Sequence, residues 1–466
     1  MSAVPIRTVD AMRLTTRWNP EDRAFWATSG RRVATRNLWL SIAALTLSFA
    51  VWMLWSVAVV HLPAAGFRFS TNQLFWLAAL PALSGATLRI FYAFAVPIFG
   101  GRLWSTLSTA SLIVPAAGLG FAVQDPATPY EVMVVLALLC GLGGGNFASS
   151  MAHVSFLFPR AQKGFALGMN AGLGNLGVPL AHALVPLAIT AGLFGIVGGA
   201  PQSAGGNPMW LQNAGFIWVP LIAAAALANW LGMDDLADVR STFADQAVIF
   251  RRKHNWLVSW LYLGTFGSFI GHAAAFPLLL KSQFPDVDAL AYAWLGPLVG
   301  ALARPLGGAL ADRLGGARVT FWSFVAMSAG AAAALAFLPQ YGAGGSFSGL
   351  VATFLLLFAA AGIGNGSTFC MIPVIFATER AREASGRGPA AQEQAVRDGN
   401  REAAAALGFA SAVSAYGGFF IPKLVGTSIA LTGSAEAALA TFIAFYFTCI
   451  AITWWHYSRR LAPMPC

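Results

Sequence analysis

The stretch GGALADRLGGAR at residues 307–318 lies between two long apolar stretches, 289–311 and 318–338. Its second pair of glycines favours a tight turn, and the charged residues beside that turn mark the ends of two helices. An acid and a base at such ends can pair across one face of a helical protein, so we predict a gating contact here. The predicted gating residues are Asp312, Arg313 and Arg318.

The same alternation of apolar stretches and short polar breaks runs through the whole chain. Of its 466 residues, 57% are hydrophobic and only 10% are charged, where a soluble protein carries about 25% charged residues. Most of the surface must therefore contact lipid, and one membrane-spanning helix needs about 20 residues. We predict an all-α membrane protein with twelve transmembrane helices, called spans 1 to 12: 37–60, 75–99, 103–123, 132–157, 163–189, 213–231, 255–281, 289–311, 318–338, 347–376, 401–428 and 437–457.

Composition also argues against several classes of protein. The apolar stretches are continuous and do not alternate with period two, which is unlike a transmembrane β-barrel. The net charge of +10 is typical of basic cytoplasmic loops, so we do not expect nucleic acid as a partner. No cluster of metal ligands or nucleophiles stands out, and we expect neither an enzyme nor a metal or cofactor site. The four scattered cysteines indicate no disulfide framework: Cys140, Cys370, Cys449 and Cys466.

The distribution of basic residues predicts the orientation. Of the 28 lysines and arginines, 23 lie in the N-terminal arm, the even-numbered connections and the C-terminus, and three lie in the odd-numbered connections. The positive-inside rule then places both termini in the cytoplasm, and we expect a multi-pass protein of a bacterial inner membrane. The predicted segments are a cytoplasmic arm (1–36), a first six-helix half (37–231), a cytoplasmic linker (232–254), a second six-helix half (255–457) and a cytoplasmic tail (458–466).

The two halves repeat each other. Arg89 lies 14 residues into span 2, and Arg304 lies 15 residues into span 8. Ala-Leu-Gly at 166–168 recurs at 406–408. A glycine–asparagine stretch lies at 141–147 in span 4, and a similar one lies at 362–367 in span 10. Two six-helix repeats are typical of secondary transporters, which bind their substrate near the membrane midplane between the repeats.

Arg89 and Arg304 are the two basic residues that remain, and both lie deep inside spans. An arginine at membrane depth costs about 2.5–3.5 kcal/mol on insertion scales and normally has a partner. None of the 18 acidic residues falls in the middle of a span, so we infer that an anionic ligand is the partner. The planar guanidinium suits planar oxyanions. The alternative is that both side chains bind helix carbonyls or extend to the membrane surface.

Span 5 carries glycines at every fourth position, Gly164, Gly168 and Gly172, which form one face of a helix and favour a close approach of another helix. Asn175 lies near that face and can donate two hydrogen bonds to a ligand. For Asn175, and more so for Asn170, the alternative is a hydrogen bond between helices. The other candidates are histidines that can carry a proton or pack in neutral form, His153, His182 and His272, and aromatic residues that can enclose a planar ligand, Phe49, Phe147, Tyr262 and Phe266.

Several stretches together resemble the NarK-type nitrate/nitrite porters of the major facilitator superfamily, nearly from end to end. They are WNPED at 18–22, RNLW at 36–39, FAVWM at 49–53, GNFASSM at 145–151, the glycine–asparagine run at 164–177, Gly408-Phe409 and GGFFIP at 417–422. The stretch at 307–318 resembles the signature loop of the superfamily. In the connection between spans 2 and 3, Pro97 stands where the repeat predicts the aspartate, so the gating contact is expected mainly in the second half.

The resemblance implies the major facilitator fold, and nitrate and nitrite as substrates. It implies that Arg89 and Arg304 clamp the substrate. His272 stands where the family is expected to have a bulky apolar residue. The other positions implied to line the site are Asn175, Tyr262, Phe49, Phe147 and Phe266, and those implied in the glycine-rich signatures are Gly164, Gly168, Asn170, Gly172 and Gly408.

The leading hypothesis is a nitrate/nitrite antiporter that imports nitrate in exchange for nitrite by alternating access. A proton-coupled nitrate symporter is the main alternative. A transporter of another anion such as an organic phosphate, a non-transporting nitrate sensor and a membrane enzyme are weaker alternatives. We expect nitrate, nitrite and membrane lipid as partners, no cofactor, and a monomer.

Overall fold

The computed structural model describes residues 14–15, 18–204, 207–236, 247–288, 290–339 and 344–466. Eleven helical segments in this part of the chain are long and apolar enough to cross a membrane. The helix at the predicted span 8, Leu295–Leu314, has 20 residues but carries Arg304 and Asp312, which lower its hydropathy. Each of the twelve predicted spans therefore contains a helix, which confirms the predicted fold.

Many spans consist of two helical pieces. The π-helical pieces are Trp26–Gly30, Leu263–Gly267 and Trp454–Ser458, and short 3₁₀ turns cover Gly195–Gly198 and Ala247–Arg251. The α-helices are Arg23–Phe25, Arg31–Trp52, Leu54–His61, Thr71–Tyr92, Ala95–Phe99, Gly101–Ala110, Ile113–Ala122, Tyr130–Leu157, Arg160–Gly174, Gly177–Ala188, Asn213–Phe216, Trp218–Gly232, Lys253–Tyr262, Ser268–Gln283, Leu290–Ala293, Leu295–Leu314, Gly316–Leu335, Phe347–Glu383, Pro389–Ala415, Gly417–Thr432 and Glu436–Thr453.

Two short pairs of strands accompany the helices. Gln202–Ala204 pairs antiparallel with Asn207–Met209 in the connection between spans 5 and 6. Leu14–Thr15 of the N-terminal arm pairs in parallel with Asp235–Leu236 of the linker. The linker thus contacts the arm directly, although the two segments are more than 200 residues apart in sequence.

The connection between spans 10 and 11 differs from the prediction. The hydrophilic stretch from Glu379 to Asn400 is mostly helical, because span 10 continues to Glu383 and span 11 already begins at Pro389. Gly388, with a φ of +87° that favours glycine, and Pro389 at the first helical position form the sharp turn. Span 1 also begins earlier than predicted, since its helix starts at Arg31.

We call the face that carries the described part of the N-terminal arm and the C-terminal tail the terminal face, and the other the opposite face. In the first half, Asp234 accepts hydrogen bonds from Arg36 (2.5 Å) and from Asn37 (2.8 Å) on the terminal face. Asp235 accepts one from the Arg102 backbone N–H (2.8 Å) and pairs with the Arg102 guanidinium at 3.3 Å. The linker thus supplies the carboxylate that the connection between spans 2 and 3 lacks.

The predicted gating contact is not formed in this structure and stays a prediction. Asp312, Arg313 and Arg318 are all exposed, and no ion pair joins them within the described ranges. Ion pairs between such exposed side chains contribute little, so water competes with them successfully. The charged cluster of the second half lies instead around Arg252, whose guanidinium contacts Glu383 at 2.5 Å and Glu402 at 3.3 Å. The hydrogen bond to Glu383 raises the pKa of Arg252 above its ordinary value.

Candidate functional site

Arg89 lies in Thr71–Tyr92 of span 2 and is fully buried. Its Nε donates a hydrogen bond to the Gly144 carbonyl oxygen at 2.8 Å, and its Nη1 donates one to the Ser411 carbonyl oxygen at 2.8 Å. Gly144 belongs to the first half and Ser411 to the second. The third nitrogen, Nη2, is buried and has no hydrogen-bond partner among the described residues. The helix carbonyls thus accept hydrogen bonds from two of the three guanidinium nitrogens, and the third can bind a ligand.

Arg304 is the counterpart in Leu295–Leu314 of span 8, and it is also buried. Its Nη2 donates a long hydrogen bond of 3.4 Å to the Tyr262 hydroxyl oxygen, and its guanidinium carbon lies 5.4 Å from the centre of the Phe369 ring. Its Nη1 lacks a partner in the part of the chain that the structure describes. Each half therefore contributes one buried arginine with a free nitrogen.

A continuous group of aromatic rings connects the two arginines. The guanidinium carbon of Arg89 lies 4.7 Å from the centre of the Phe147 ring and 5.3 Å from that of Phe266. Phe266 stacks on Phe147 at 6.2 Å and on Tyr262 at 5.6 Å between ring centres, and Tyr262 binds Arg304. Phe49 meets the edge of Phe147 at 6.0 Å. The structure thus brings together both predicted arginines and all four predicted aromatic residues.

Asn175 is buried, and neither its Nδ2 nor its Oδ1 has a partner within the described ranges. It lies where span 5 breaks, between the helices Arg160–Gly174 and Gly177–Ala188. Asn170 differs, because its Nδ2 donates a hydrogen bond to Ser150 Oγ of span 4 at 2.9 Å. Asn170 therefore joins helices through its Nδ2, which was the alternative for that residue, although its Oδ1 also lacks a partner among the described residues, whereas Asn175 keeps both polar atoms free.

Breaks in the helices coincide with the site. Tyr262 and Phe266 lie at the π-helical segment Leu263–Gly267, and π-helical turns occur frequently at functional sites. Span 11 breaks at Tyr416, whose hydroxyl lies 2.9 Å from Thr87 Oγ1 of the first half. Regular helices would turn these side chains to other directions, so the irregular backbone helps to place them.

The glycines of span 5 do not make the predicted close helix contact. A Cβ atom built on Gly164, Gly168 or Gly172 would meet no described atom within 4 Å, and the same holds for Gly408 of span 11. These glycines face open space toward the terminal face. Further along span 5, a Cβ on Gly177 would lie 1.9 Å from the Thr46 carbonyl oxygen. A Cβ on Gly174 would already lie 2.6 Å from Leu45 Cδ2, so the glycines of span 5 are closely packed from Gly174 onward.

The opposite face is closed by contacts between the two halves. Lys423 of span 11 donates a hydrogen bond to Asn72 Oδ1 of span 2 at 3.0 Å and lies 4.5 Å from the centre of the Trp76 ring. A Cβ on Gly426 would lie 2.5 Å from Phe75 Cβ, so the two helices approach closely there. The structure is therefore closed on the opposite face.

The three histidines have different surroundings. His153 Nε2 lies 3.2 Å from Asn37 Oδ1 near the terminal face. His272 lies among phenylalanines of the second half, with its Nε2 3.1 Å from the Tyr446 hydroxyl oxygen. His182 instead contacts both halves. No hydrogen bond joins any of the three to Arg89 or Arg304 among the described residues.

Sequence reasoning missed Phe369 and the carbonyl groups that hold Arg89. Phe369 follows the glycine–asparagine stretch of span 10, much as Phe147 follows that of span 4, and this repeat is a signal that points to it. The carbonyl oxygens of Gly144 and Ser411 leave no such signal, because any residue type supplies a carbonyl.

The family model of the Major Facilitator Superfamily matches residues 40–395 of the chain. A crystal structure of a D-xylose-proton symporter superposes with a TM-score of 0.64 over 93% of this chain and 98% of that one, at 15% identity. At that identity the similarity concerns the fold alone.

Three curated relatives are much more similar. The chain is 51% identical to the nitrate/nitrite transporter NarU of Salmonella typhimurium, over 95% of this chain and 96% of the relative. It is 50% identical to NarU of Escherichia coli over the same shares. It is 40% identical to the probable nitrate/nitrite antiporter NarK2 of Thermus thermophilus, over 97% and 98%. The chain therefore belongs to the NarK-type nitrate/nitrite porter family of the Major Facilitator Superfamily, which confirms the predicted resemblance.

Proposed function

We propose that this protein transports nitrate and nitrite and that it imports nitrate in exchange for nitrite. The observation that carries the proposal is the pair of buried guanidinium groups, Arg89 and Arg304, each with one nitrogen that has no partner among the described residues. An unpaired charge away from water is costly, so the pair favours an anion between the two halves. Nitrate and nitrite carry one charge each and are planar, which matches the guanidinium plane and the stacked rings.

The relatives support this choice of substrate. The NarU proteins are named nitrate/nitrite transporters, and NarK2 is named a probable antiporter of the same two anions. The substrate-facing residues in this chain would be Arg89, Arg304, Asn175, Tyr262 and the three phenylalanines Phe49, Phe147 and Phe266. Asn175 would donate a hydrogen bond through its free amide nitrogen.

Charge also favours exchange over proton symport. Without an anion, two cationic groups in a poorly screened site repel each other and hold the halves apart. A bound anion relieves this repulsion, so the loaded protein would reorient more readily than the empty one. His272, one of the three histidines that could carry a proton, is bound to Tyr446 within the second half and contacts neither arginine. This surrounding gives no support to the symport alternative.

Counterflow in proteoliposomes tests the exchange mode. We expect uptake of labelled nitrate only when nitrate or nitrite is present inside, and we expect no effect of an imposed pH gradient on empty vesicles. Uptake into anion-free vesicles that is driven by an inward proton gradient would overturn exchange and establish symport. Absence of uptake under every condition would count against transport itself.

We also propose that the terminal face is cytoplasmic, in a bacterial inner membrane. Ser385, in the turn between spans 10 and 11, and Thr190, after span 5, are both exposed. With Cys370 and Cys466 replaced by serine, a membrane-impermeant thiol reagent outside intact cells should label T190C and leave S385C unlabelled. The reverse pattern would overturn the orientation.

A further inference from the structure

Spans 2 and 11 meet along a line of contacts between the two halves, which runs from the candidate site to the opposite face. We call this line the seam. Its pairs, from the site outward, are Arg89 with Ser411, Trp76 with Phe419 and Asn72 with Lys423. Asn72 lies 17 residues before Arg89 on one helix, which corresponds to about 25 Å along the helix axis. If the opposite face opens by separation of the halves, the seam parts and its residues line the way to the site.

Lys423 is the cation at the outer end of the seam, and the two groups that bind it are neutral. Its Nζ donates a hydrogen bond to Asn72 Oδ1 at 3.0 Å and lies 4.5 Å from the centre of the Trp76 ring. Asn72 and Trp76 are four residues apart, so they lie on the same face of span 2. Trp76 also meets Phe419, one turn before Lys423, at 5.6 Å between ring centres. Both ligands of the ammonium group thus come from the other half.

Lys423 has no acidic partner in the described part of the chain. No ion pair joins it to an aspartate or a glutamate there. The two helices of the outer seam, Thr71–Tyr92 and Gly417–Thr432, contain neither residue type. Lysine is protonated at neutral pH, so no carboxylate neutralises this charge in the closed form. Parting of the seam removes Asn72 and Trp76 from the ammonium group and leaves a cation in water at the entrance.

We propose that Lys423 is the anion-capture residue of the opposite face. In the open form its ammonium group attracts nitrate or nitrite from the water outside this face, and Arg89 lies further along the same seam to receive the anion. In the closed form Asn72 and Trp76 take the place of the anion as ligands of Lys423. The inference rests on the proposed nitrate/nitrite transport and adds the residue through which the anion enters from one side.

The chemistry of a lysine suits this step. A cation at the entrance of a path with low-dielectric walls raises the local concentration of anions and their rate of capture. An ammonium group is a compact, strongly hydrated point charge, whereas the planar guanidinium binds oxyanions with two aligned donors. Lys423 therefore holds the anion less tightly than the two buried arginines do. Passage through a path requires such weak sites, because a captured ion must also leave.

Nitrate exchange measured from each face tests this assignment. Right-side-out and inverted membrane vesicles are loaded with nitrite, and labelling of T190C shows which preparation exposes the opposite face. Lys423→Gln removes the charge but keeps an amide donor for Asn72. We expect the KM for labelled nitrate at the opposite face to rise about three- to tenfold, with Vmax and the KM at the terminal face nearly unchanged. Lys423→Arg should retain the low KM, because its charge and its cation–π contact remain.

The unsubstituted protein provides a test that needs no variant. Salt screens the attraction between Lys423 and a free anion. The KM at the opposite face should therefore rise when the ionic strength is raised with sodium gluconate, and this rise should be much smaller in Lys423→Gln. A KM that does not depend on ionic strength in the unsubstituted protein would overturn the proposal.

Lys281→Gln is the matched control. Lys281 has the same charge and lies on the same face, at the end of Ser268–Gln283, but it is exposed and donates a hydrogen bond to the Pro285 carbonyl oxygen, outside the seam. Its replacement should leave both KM values unchanged.

The outcomes separate this inference from the proposed function. An unchanged KM in Lys423→Gln, or an equally large effect of Lys281→Gln, contradicts capture by Lys423 while exchange itself stands. An equal change of KM at both faces also contradicts it, since Lys423 would then only hold the face closed. Absence of exchange in the unsubstituted protein contradicts the proposed transport function and this inference together.

Discussion

Arg89 of the first half lies over the ring of Phe266 of the second half, with 5.3 Å between the guanidinium carbon and the ring centre. The same guanidinium donates a hydrogen bond to Ser411, again in the second half, at 2.8 Å. Arg89 therefore contacts the other half in two ways, through a charge-assisted hydrogen bond and through the plane of its guanidinium group. A ligand at the free Nη2 is therefore bound next to the contact that must change when the halves move.

The first prediction concerns the shape of the charged group. In Arg89→Lys and Arg304→Lys the charge remains, but the planar fork is lost. Each substitution removes at least one charge-assisted hydrogen bond to the anion, worth about 1.5–3 kcal/mol. We expect nitrate affinity to fall about 10–100-fold in each variant, measured by binding to the purified, folded protein.

Arg313→Lys is the control for these substitutions. Arg313 lies on the same helix as Arg304 but is exposed, so its replacement should leave nitrate affinity unchanged. If the two buried variants also bound nitrate like the unsubstituted protein, charge alone would suffice and the geometric clamp would be wrong.

The second prediction uses the unpartnered amide of Asn175. Asn175→Asp places a carboxylate beside the bound anion, and we expect nitrate binding to be lost. Asn175→Ala removes one donor without leaving a former partner unsatisfied, because none is observed among the described residues. It should weaken nitrate binding about tenfold, the effect of roughly 1–1.5 kcal/mol for one hydrogen bond, with little change in melting temperature.

Asn170→Ala provides the comparison for Asn175. It removes a hydrogen bond to Ser150 within the first half, so we expect a lower melting temperature with nitrate affinity largely retained. Equal losses of affinity in Asn170→Ala and Asn175→Ala would show that the amide of Asn175 has no special place in the site.

The spans and the two arginines were predictable because each has a strong one-dimensional signal. A long apolar stretch marks a helix in lipid. A charge inside such a stretch, as at Arg89 and Arg304, costs free energy of insertion and therefore indicates a functional position. The positions of the free nitrogens were not predictable. They depend on which carbonyl groups, such as that of Ser411, lie within hydrogen-bonding distance of the guanidinium group. The sequence alone does not show which groups these are.

The charged residues of the terminal face show that partners in space can be distant in sequence. Asp312 and Arg313 end a helix in water, where an ion pair gains little. Several carboxylates that bind arginines on the terminal face come from distant segments, as Asp235 does for Arg102. Such long-range pairs follow from the packing of spans and cannot be read from a local motif.

The third prediction concerns the glycines of span 5. Gly168 faces open space, so Gly168→Ala should fold with an unchanged melting temperature. If spans 5 and 11 approach each other when the terminal face closes, the added methyl group hinders that step, and we expect the nitrate exchange rate to fall severalfold. In Gly177→Ala the methyl group would collide with the Thr46 backbone, so we expect poor folding. Exchange at the normal rate in Gly168→Ala would exclude a close approach at this glycine.

The last prediction compares two glutamates of span 11 near the terminal face. Glu402 is 6% exposed and binds the guanidinium groups of both Arg252 and Arg380. Glu402→Gln removes the more buried of the two carboxylates that both cations contact and leaves only the exposed Glu383 between them. Breaking a fully buried pair costs about 3–5 kcal/mol. The side chains of Arg252 and Arg380 are 16% and 23% exposed, so we expect the free energy of unfolding to fall by about 1–3 kcal/mol.

Glu393 provides the control. Its side chain is 76% exposed and pairs with Arg397 at 3.8 Å, and Glu393→Gln should change the free energy of unfolding by less than about 0.5 kcal/mol. Denaturation of both variants in the same detergent measures the difference, and equal stabilities would show that the cluster around Arg252 does not stabilise the second half.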